Sequence, residues 1–375
     1  MIAYLTDLEG QWDKLVSFAD GNPLVALDGE RLVLAPGATF VFGGDAIDRG
    51  PGDRKILRAL LAARRAYGER VIWLAGNRDV NKLRLARELA PVAPGERAER
   101  LRWTLARTMG APNAFAFRAQ ALAADGAPHD DAAVVDSYLA DLAPGGELRE
   151  YLLGARLAYR AGATLFVHGG VTAENLGVVP GREPVGGVDA WIAALGDFYG
   201  DELARFCAGD EPAALIAYQG PLPGTRANDA SVIYARPTDD VGNPRLPLPD
   251  VIARLAADGI ARVVVGHTPS GDCPAVVRDE RGFELVLADN SYGRIERGSH
   301  LALTDGETAV RGVSQLDDGS VASVDYASLR AERSPLGTFD AHGALRKARL
   351  ADGRYLLFRG LPHREVLQTA ERVPL

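Results

Sequence analysis

Gly44-Asp45-Ala46-Ile47-Asp48-Arg49-Gly50 decides how this chain is read. It follows a short apolar run, Thr39-Phe40-Val41-Phe42, and precedes a segment of helical composition over 51–67. That order predicts a buried strand, a glycine-flanked turn with two carboxylates and a guanidinium, and then a helix. Pro51 suits the helix start, where a missing N–H costs nothing. In open α/β sheets sites form just beyond the carboxyl ends of the strands, which is where this turn would lie.

Working outward, the same arrangement recurs. Ile2–Leu5 leads to Asp7, and residues 71–75 lead through Gly76 to Asn77. Residues 165–167 lead to His168, and 263–265 lead through Gly266 to His267. Short β-rich apolar runs of this kind read as buried strands. Five residues of metal-binding type, at five strand ends, are thereby expected to converge on one cleft. Helices are expected over 11–19, 51–67 and 251–257, a hairpin over 24–34 at Asp28-Gly29, and antiparallel strands over 283–313.

The segment 84–161 is different. It is rich in alanine, leucine and charge, and Pro-Gly, Ala-Pro and Gly-Gly punctuation divides it into four helices. It reads as a helical insertion between the third and fourth ligand-bearing strands. Residues 78–118 carry nine Lys/Arg against four Asp/Glu, whereas 123–150 is acidic. Either these are ordinary solvated helix faces, or the basic half caps the cleft and faces an anionic substrate.

Composition narrows the classes further. With 375 residues, 47% of them hydrophobic and 25% charged, the chain can bury a substantial core. A net charge of −8 argues against a surface built for nucleic acid or anionic membrane. No apolar run approaches the ~20 residues of a membrane span. Cys207 and Cys273 are the only cysteines, so no disulfide framework or cysteine metal cluster is expected. The strand-like opening, with no basic residues ahead of it, and the two cysteines give a cytoplasmic expectation.

The ordered set of motifs resembles the calcineurin-like metallophosphoesterases, within them the phosphoprotein phosphatase branch. The stretch 44–50 is similar to their Gly-Asp-x-x-Asp-Arg-Gly motif. Asp7-Leu8-Glu9-Gly10, Gly76-Asn77-Arg78-Asp79, His168-Gly169-Gly170 and Gly266-His267-Thr268 follow in family order. Ala288-Asp289-Asn290-Ser291-Tyr292-Gly293 resembles a later Ala-Pro-Asn-Tyr-Cys-Gly loop. The resemblance covers about residues 1–295 without the insertion. It implies an α/β fold, a four-layer α/β/β/α sandwich, with a catalytic domain over 1–313 and an extension over 314–375 packed on it. It also implies two divalent cations, bridged by Asp45. Asp7 and Glu9 would complete the first site, and Asn77, His168 and His267 the second. Asp48, Arg49 and Arg78 would be catalytic, with Arg49, Arg78 and Tyr292 binding substrate; Arg226, Arg236 and Arg294 are further candidates for phosphate. Asp48 has a plainer reading, as a cap of the following helix.

Two departures from that family's pattern matter for the metal centre. Its Asp-x-His is Asp7-x-Glu9 here, and its Asn-His-Glu/Asp is Asn77-Arg78-Asp79. The first change makes an all-oxygen site suited to Mn²⁺ or Mg²⁺; the second site would accept Mn²⁺, Fe²⁺ or Zn²⁺. The second change removes the family's candidate general acid, since arginine does not give up its proton. The expected function is phosphomonoester hydrolysis like that of Ser/Thr protein phosphatases, by attack of metal-bound hydroxide. A phosphorylated small molecule, nucleotide or phosphoprotein would be the substrate. The rivals are hydrolysis of a nucleotide or dinucleoside-polyphosphate anhydride, and a catalytically weak or dead binding protein.

Overall fold

Side chains along β1 (Ile2–Leu5) alternate between two cores: Ala3 and Leu5 enter one, Tyr4 the other. A strand forces this alternation, because successive Cβ atoms point to opposite faces. The computed structural model describes residues 1–291, 299–361 and 366–372. After β1 come α1 (Trp12–Ala19), the hairpin β2 (Val25–Asp28) and β3 (Arg31–Leu34), and β4 (Thr39–Phe42). Next are α2 (Asp53–Tyr67) and β5 (Val71–Trp73). Six helices then run in succession: α3 (Asn77–Asn81), α4 (Leu85–Leu89), α5 (Arg97–Arg107), α6 (Ala114–Ala124), α7 (Asp131–Leu142) and α8 (Glu147–Gly154). Strands β6 (Ala158–Ala161) and β7 (Thr164–Val167) follow, then α9 (Val188–Cys207), α10 (Ala213–Tyr218), α11 (Pro249–Ala257) and β8 (Arg262–Val265). Eight strands close the chain. They are β9 (Ala275–Arg278), β10 (Glu284–Leu287), β11 (His300–Leu303), β12 (Glu307–Gln315), β13 (Val321–Leu329), β14 (Leu345–Arg349), β15 (Tyr355–Gly360) and β16 (Val366–Glu371).

Two sheets face each other. One has the order β13-β12-β11-β1-β4-β5, the other β6-β7-β8-β10-β9. Tyr4, Val41 and Ile72 from the first meet Phe166, Val264 and Val286 from the second in an inner core. The alternate residues (Phe40, Phe42, Leu165, Val167, Val263 and Val265 among them) pack outward in the core shared with the helices. This is the expected α/β/β/α sandwich. At about 1.5–3 kcal/mol per large apolar side chain, the two cores dominate its stability. Strands β1, β4 and β5 run parallel in one sheet, and β7, β8 and β10 in the other, so five ligand-bearing ends emerge at one edge.

Two expectations change in detail. The helices of the insertion lie within 85–154, and the last residues of the expected 84–161 segment form β6, which pairs with β7. The boundary expected at 313/314 falls inside β12, and β13 pairs with β12 along its whole length, so residues to 329 belong to the first sheet. Beyond β13, strands β14–β16 form a sheet of their own. Among the described residues, no helix is long and apolar enough to cross a membrane.

Candidate metal centre

Among the described residues, every non-glycine residue with positive φ lies at the strand ends: Asp7 (52°), Glu9 (49°), Asp45 (56°), Asp48 (114°) and His267 (59°). Such backbone costs about 1–3 kcal/mol per residue and persists only where its surroundings impose it. Here the loops after β1 and β4 clamp one another. The Asp7 N–H donates to the Gly44 carbonyl (2.9 Å), the Glu9 N–H to the Asp45 carbonyl (2.9 Å), and the Arg49 N–H to the Glu9 carbonyl (2.6 Å). Gly76 lets the loop after β5 approach: a Cβ there would lie 2.1 Å from both the amide nitrogen and Oδ1 of Asp45.

Asp45, His168 and His267 are buried, with candidate ligand atoms within 4.8 Å of one another. Nδ1 of His168 lies 2.7 Å from the Gly43 carbonyl, an arrangement that fixes the ring and turns Nε2 inward. That Nε2 is 3.3 Å from Asn77 Oδ1 and 3.3 Å from Asp45 Oδ1. Burial disfavours the imidazolium, but the Asp45 carboxylate outweighs it and pushes His168 up to about 10. Burial, then the Arg236 guanidinium, holds His267 well below its ordinary value, so that ring is neutral. Nε2 of His267 is buried with no hydrogen-bond partner. An orphaned imidazole nitrogen beside a carboxylate, an amide and a second imidazole is a donor set that fits one divalent cation such as Mn²⁺, Fe²⁺ or Zn²⁺.

The oxygens expected to hold a first cation face a different partner. Arg78 Nε lies 2.6 Å from Glu9 Oε1 and 3.5 Å from Asp45 Oδ2. Arg49 Nη1 is 3.3 Å from the other Glu9 oxygen. Burial raises the Glu9 carboxyl to about 7, against the pull of Arg78 and Arg49. The Asp7 carboxylate accepts from the His267 N–H (3.0 Å) and from the Thr6 hydroxyl (2.6 Å).

The remaining candidates divide. Asp48 does not cap α2, whose N-cap is Gly52 with no side-chain bond. Its carboxylate is instead held by Lys82 Nζ at 2.7 Å and faces Arg78 Nη1 at 3.7 Å. Its strained backbone is fixed through its N–H, which donates to Asp53 Oδ1 (3.0 Å). Arg236 comes to the site, donating to the His267 carbonyl (3.1 Å), with its guanidinium over the Tyr234 ring. Arg226 lies exposed in the loop after α10. Tyr292 and Arg294 lie outside the described residues.

Sequence reasoning missed Lys14, Lys82 and the role of Asp79. Lys14 Nζ bonds the Asp7 carbonyl (2.8 Å), and Asp79 carries the backbone of the Asp45 turn. A signal existed for both lysines. Lys14 stands in the helical stripe of Leu15 and Phe18, and Lys82 between Val80 and Leu83, positions where an unpartnered charge would be expensive.

Beside the Arg49 guanidinium opens a cleft of about 380 Å³, bordered by Gln11, Asp48, Arg49, Asn113, Phe117 and Ser291. The insertion does reach it, through the turn between α5 and α6, but with neutral side chains. Three of its arginines face acids: Arg84 pairs with Glu88, Arg102 with Asp131, and buried Arg118 with Asp141. Of the basic stretch 78–118, Arg78 and Lys82 turn to the carboxylates of the strand ends, and these three arginines serve the insertion's own packing and do not line the cleft.

A family model described as calcineurin-like phosphoesterase matches residues 1–271. Similar solved structures include the cold-active protein-tyrosine phosphatase of a psychrophilic Shewanella species, at 17% identity over 86% of this chain and 79% of that one, TM-score 0.49. A protein serine/threonine phosphatase from Saccharomyces cerevisiae with similarity to human phosphatase PP5 is 13% identical over 89% and 81%, TM-score 0.40. A metallophosphoesterase from Sphaerobacter thermophilus is 12% identical over 87% and 88%, TM-score 0.29. No curated protein matches the sequence.

Proposed function

The chain belongs to the calcineurin-like phosphoesterases, and from that membership we propose that it hydrolyses phosphomonoesters at the edge where β1, β4, β5, β7 and β8 end. The observation that carries this reading is the buried Asp45–His168–His267 cluster, with the Arg78 guanidinium against Asp45 and the Arg49 guanidinium on the wall of a cleft. Asp45, Asn77, His168 and His267 would hold a divalent cation, Mn²⁺ being our choice. A cation there supplies Lewis acidity, polarising a phosphoryl oxygen and making water a nucleophile near neutral pH.

The chain's own groups do the rest. Arg49, about a quarter exposed at the cleft wall, presents a planar fork of donors that matches phosphate oxygens. Arg78, deeper and 11% exposed, contributes positive charge where the transferring group gathers negative charge. Both are held by Glu9 and so need little reorganisation. The α5–α6 turn limits what can lie over them.

A second reading is favoured by the surroundings of Asp48. Its carboxylate is held by Lys82 and faces Arg78, so its oxygens are engaged by cations and poorly placed to serve a leaving group. Good leaving groups, such as those of anhydrides and aryl esters, would then be preferred, and the substrate class on this reading is a nucleotide or dinucleoside polyphosphate. The test is a substrate panel of aryl phosphates, phosphopeptides, nucleotides and dinucleotides, assayed on protein stripped of metal and reloaded. Hydrolysis that requires added cation and disappears in His168→Ala supports the reading. Absence of hydrolysis across the panel and all cations would instead favour a binding protein.

A further inference from the structure

Glu9 and Arg78 are the two positions that depart from the family's motif, and the fold brings them into contact at 2.6 Å. The contact is one part of a larger arrangement. The same guanidinium reaches Asp45 Oδ2 at 3.5 Å and Asp48 Oδ2 at 3.7 Å, so one planar cation lies among three buried carboxylates from two loops. Its two ends are pinned. The Arg78 backbone N–H donates to Asp45 Oδ1 (2.9 Å), and Nη1 donates to the Met109 carbonyl of the insertion (3.3 Å).

The two departures explain each other. An imidazole at position 9 would offer a guanidinium at best one acceptor, whereas a carboxylate offers two; here Arg78 takes one oxygen of Glu9 and Arg49 the other. A cation liganded by Glu9 Oε1 at about 2.0–2.2 Å would sit within about 5 Å of the Arg78 Nε already paired with that oxygen. The imidazole end is arranged otherwise, with Asn77 Oδ1, His168 Nε2 and the orphaned His267 Nε2 as its donors.

We propose that this is a one-metal centre in which the Arg78 guanidinium stands in the place of the first cation, beside Glu9, Asp45 and Asp48. A single divalent ion is held by Asp45, Asn77, His168 and His267. The proposal rests on the functional reading above only for that second set of residues. It has a chemical consequence. A guanidinium can stabilise charge on a transferring phosphoryl group, but it cannot make a water acidic, so nucleophile activation falls to the imidazole side alone.

The test is metal counting with a spectroscopic check. Protein stripped with chelator is reloaded with Mn²⁺, desalted and analysed for manganese per chain and by electron paramagnetic resonance. Wild type is expected to hold one Mn²⁺ with the resolved hyperfine pattern of an isolated ion. The double variant Glu9→His/Arg78→His is expected to hold two, with an exchange-coupled spectrum. Two coupled ions in the wild type would overturn the proposal, and so would a folded double variant that still holds one. Should the double variant fail to fold, the wild-type count decides alone. No bound Mn²⁺ in either protein would overturn the imidazole site too, whereas one bound ion without any hydrolysis would sink only the proposed activity.

Discussion

Asp79 holds the turn of Asp45 from beneath: its Oδ2 accepts the Asp45 N–H and its Oδ1 the Ala46 N–H, each at 2.9 Å. The Gly76 N–H (3.2 Å) and the Tyr151 hydroxyl (3.2 Å) also donate to Oδ2. One carboxylate thus ties together the loops after β4 and β5, and Tyr151 connects the insertion to them. Asp79→Ala orphans three buried N–H groups, at about 1–3 kcal/mol each. We expect a loss of about 3 kcal/mol or more in urea unfolding, together with loss of bound metal. An unchanged midpoint and metal content would show that the turn keeps its shape without Asp79.

Asp45→Asn preserves an acceptor for the Arg78 N–H but removes the charge that the cation needs. It is expected to abolish turnover and to release bound metal, with little change in unfolding midpoint. Metal content and aryl-phosphate hydrolysis are the measurements. Near-normal values for both would remove Asp45 from the site.

Wild-type kcat/KM should depend steeply on leaving-group pKa, because Asp48 is engaged by Lys82 and Arg78, and an arginine stands where the family's candidate acid would be. A general acid usually contributes about 10²–10⁴-fold for such groups. Arg78→Ala should slow aryl and alkyl phosphates by a similar factor, about 10²–10³, as lost charge stabilisation would. A flat dependence in the wild type would show that a proton donor serves the leaving group.

Phe117 borders the cleft from α6, just beyond the α5–α6 turn. Phe117→Ala is expected to favour bulky aryl phosphates over small ones by about tenfold in relative kcat/KM, within the 1–3 kcal/mol range for removing apolar bulk from a pocket. An unchanged ratio would mean that the insertion does not set substrate size. The whole insertion is a poor subject for excision: Tyr151 stacks on Trp73 (5.4 Å between centroids) and Arg118 is buried against Asp141.

Lys347 in β14 reaches the loop that follows His267. Its Nζ donates to the Ser270 carbonyl and to Gln368 Oε1 (3.2 Å), while Gln368 Nε2 donates to Asp272 Oδ2 (3.1 Å). We propose that the three-stranded C-terminal sheet serves to hold that loop. Lys347→Met should cost about 1–3 kcal/mol of stability, through the orphaned carbonyl, and weaken metal binding at His267. Denaturant unfolding and metal titration check this; normal affinity in a destabilised variant would make the sheet a packing element only.

Much of the layout was legible in sequence because its causes are local. Short apolar runs ended by Asp7, Asp45, Asn77, His168 and His267 mark the strand ends, and a buried strand needs only its own residues to announce itself. The alternation of Phe40 and Phe42 with Val41 already implies two faces to cover. Sequence also exposed the changes at Glu9 and Arg78, but as two separate losses. That they pair depends on the sheet order, which sets the loops after β1, β4 and β5 side by side. No periodicity encodes that neighbourhood. The same holds for Asp48, whose place before a helix suggests a cap until the fold brings Lys82 to it. The arginines of the insertion look like a basic face until helices α4 to α7 pack and pair Arg84, Arg102 and Arg118 with Glu88, Asp131 and Asp141. Strand positions were fixed by the chain's own hydrophobic pattern. Charge partners were decided by tertiary structure, because an ion pair forms between whichever side chains packing brings within reach.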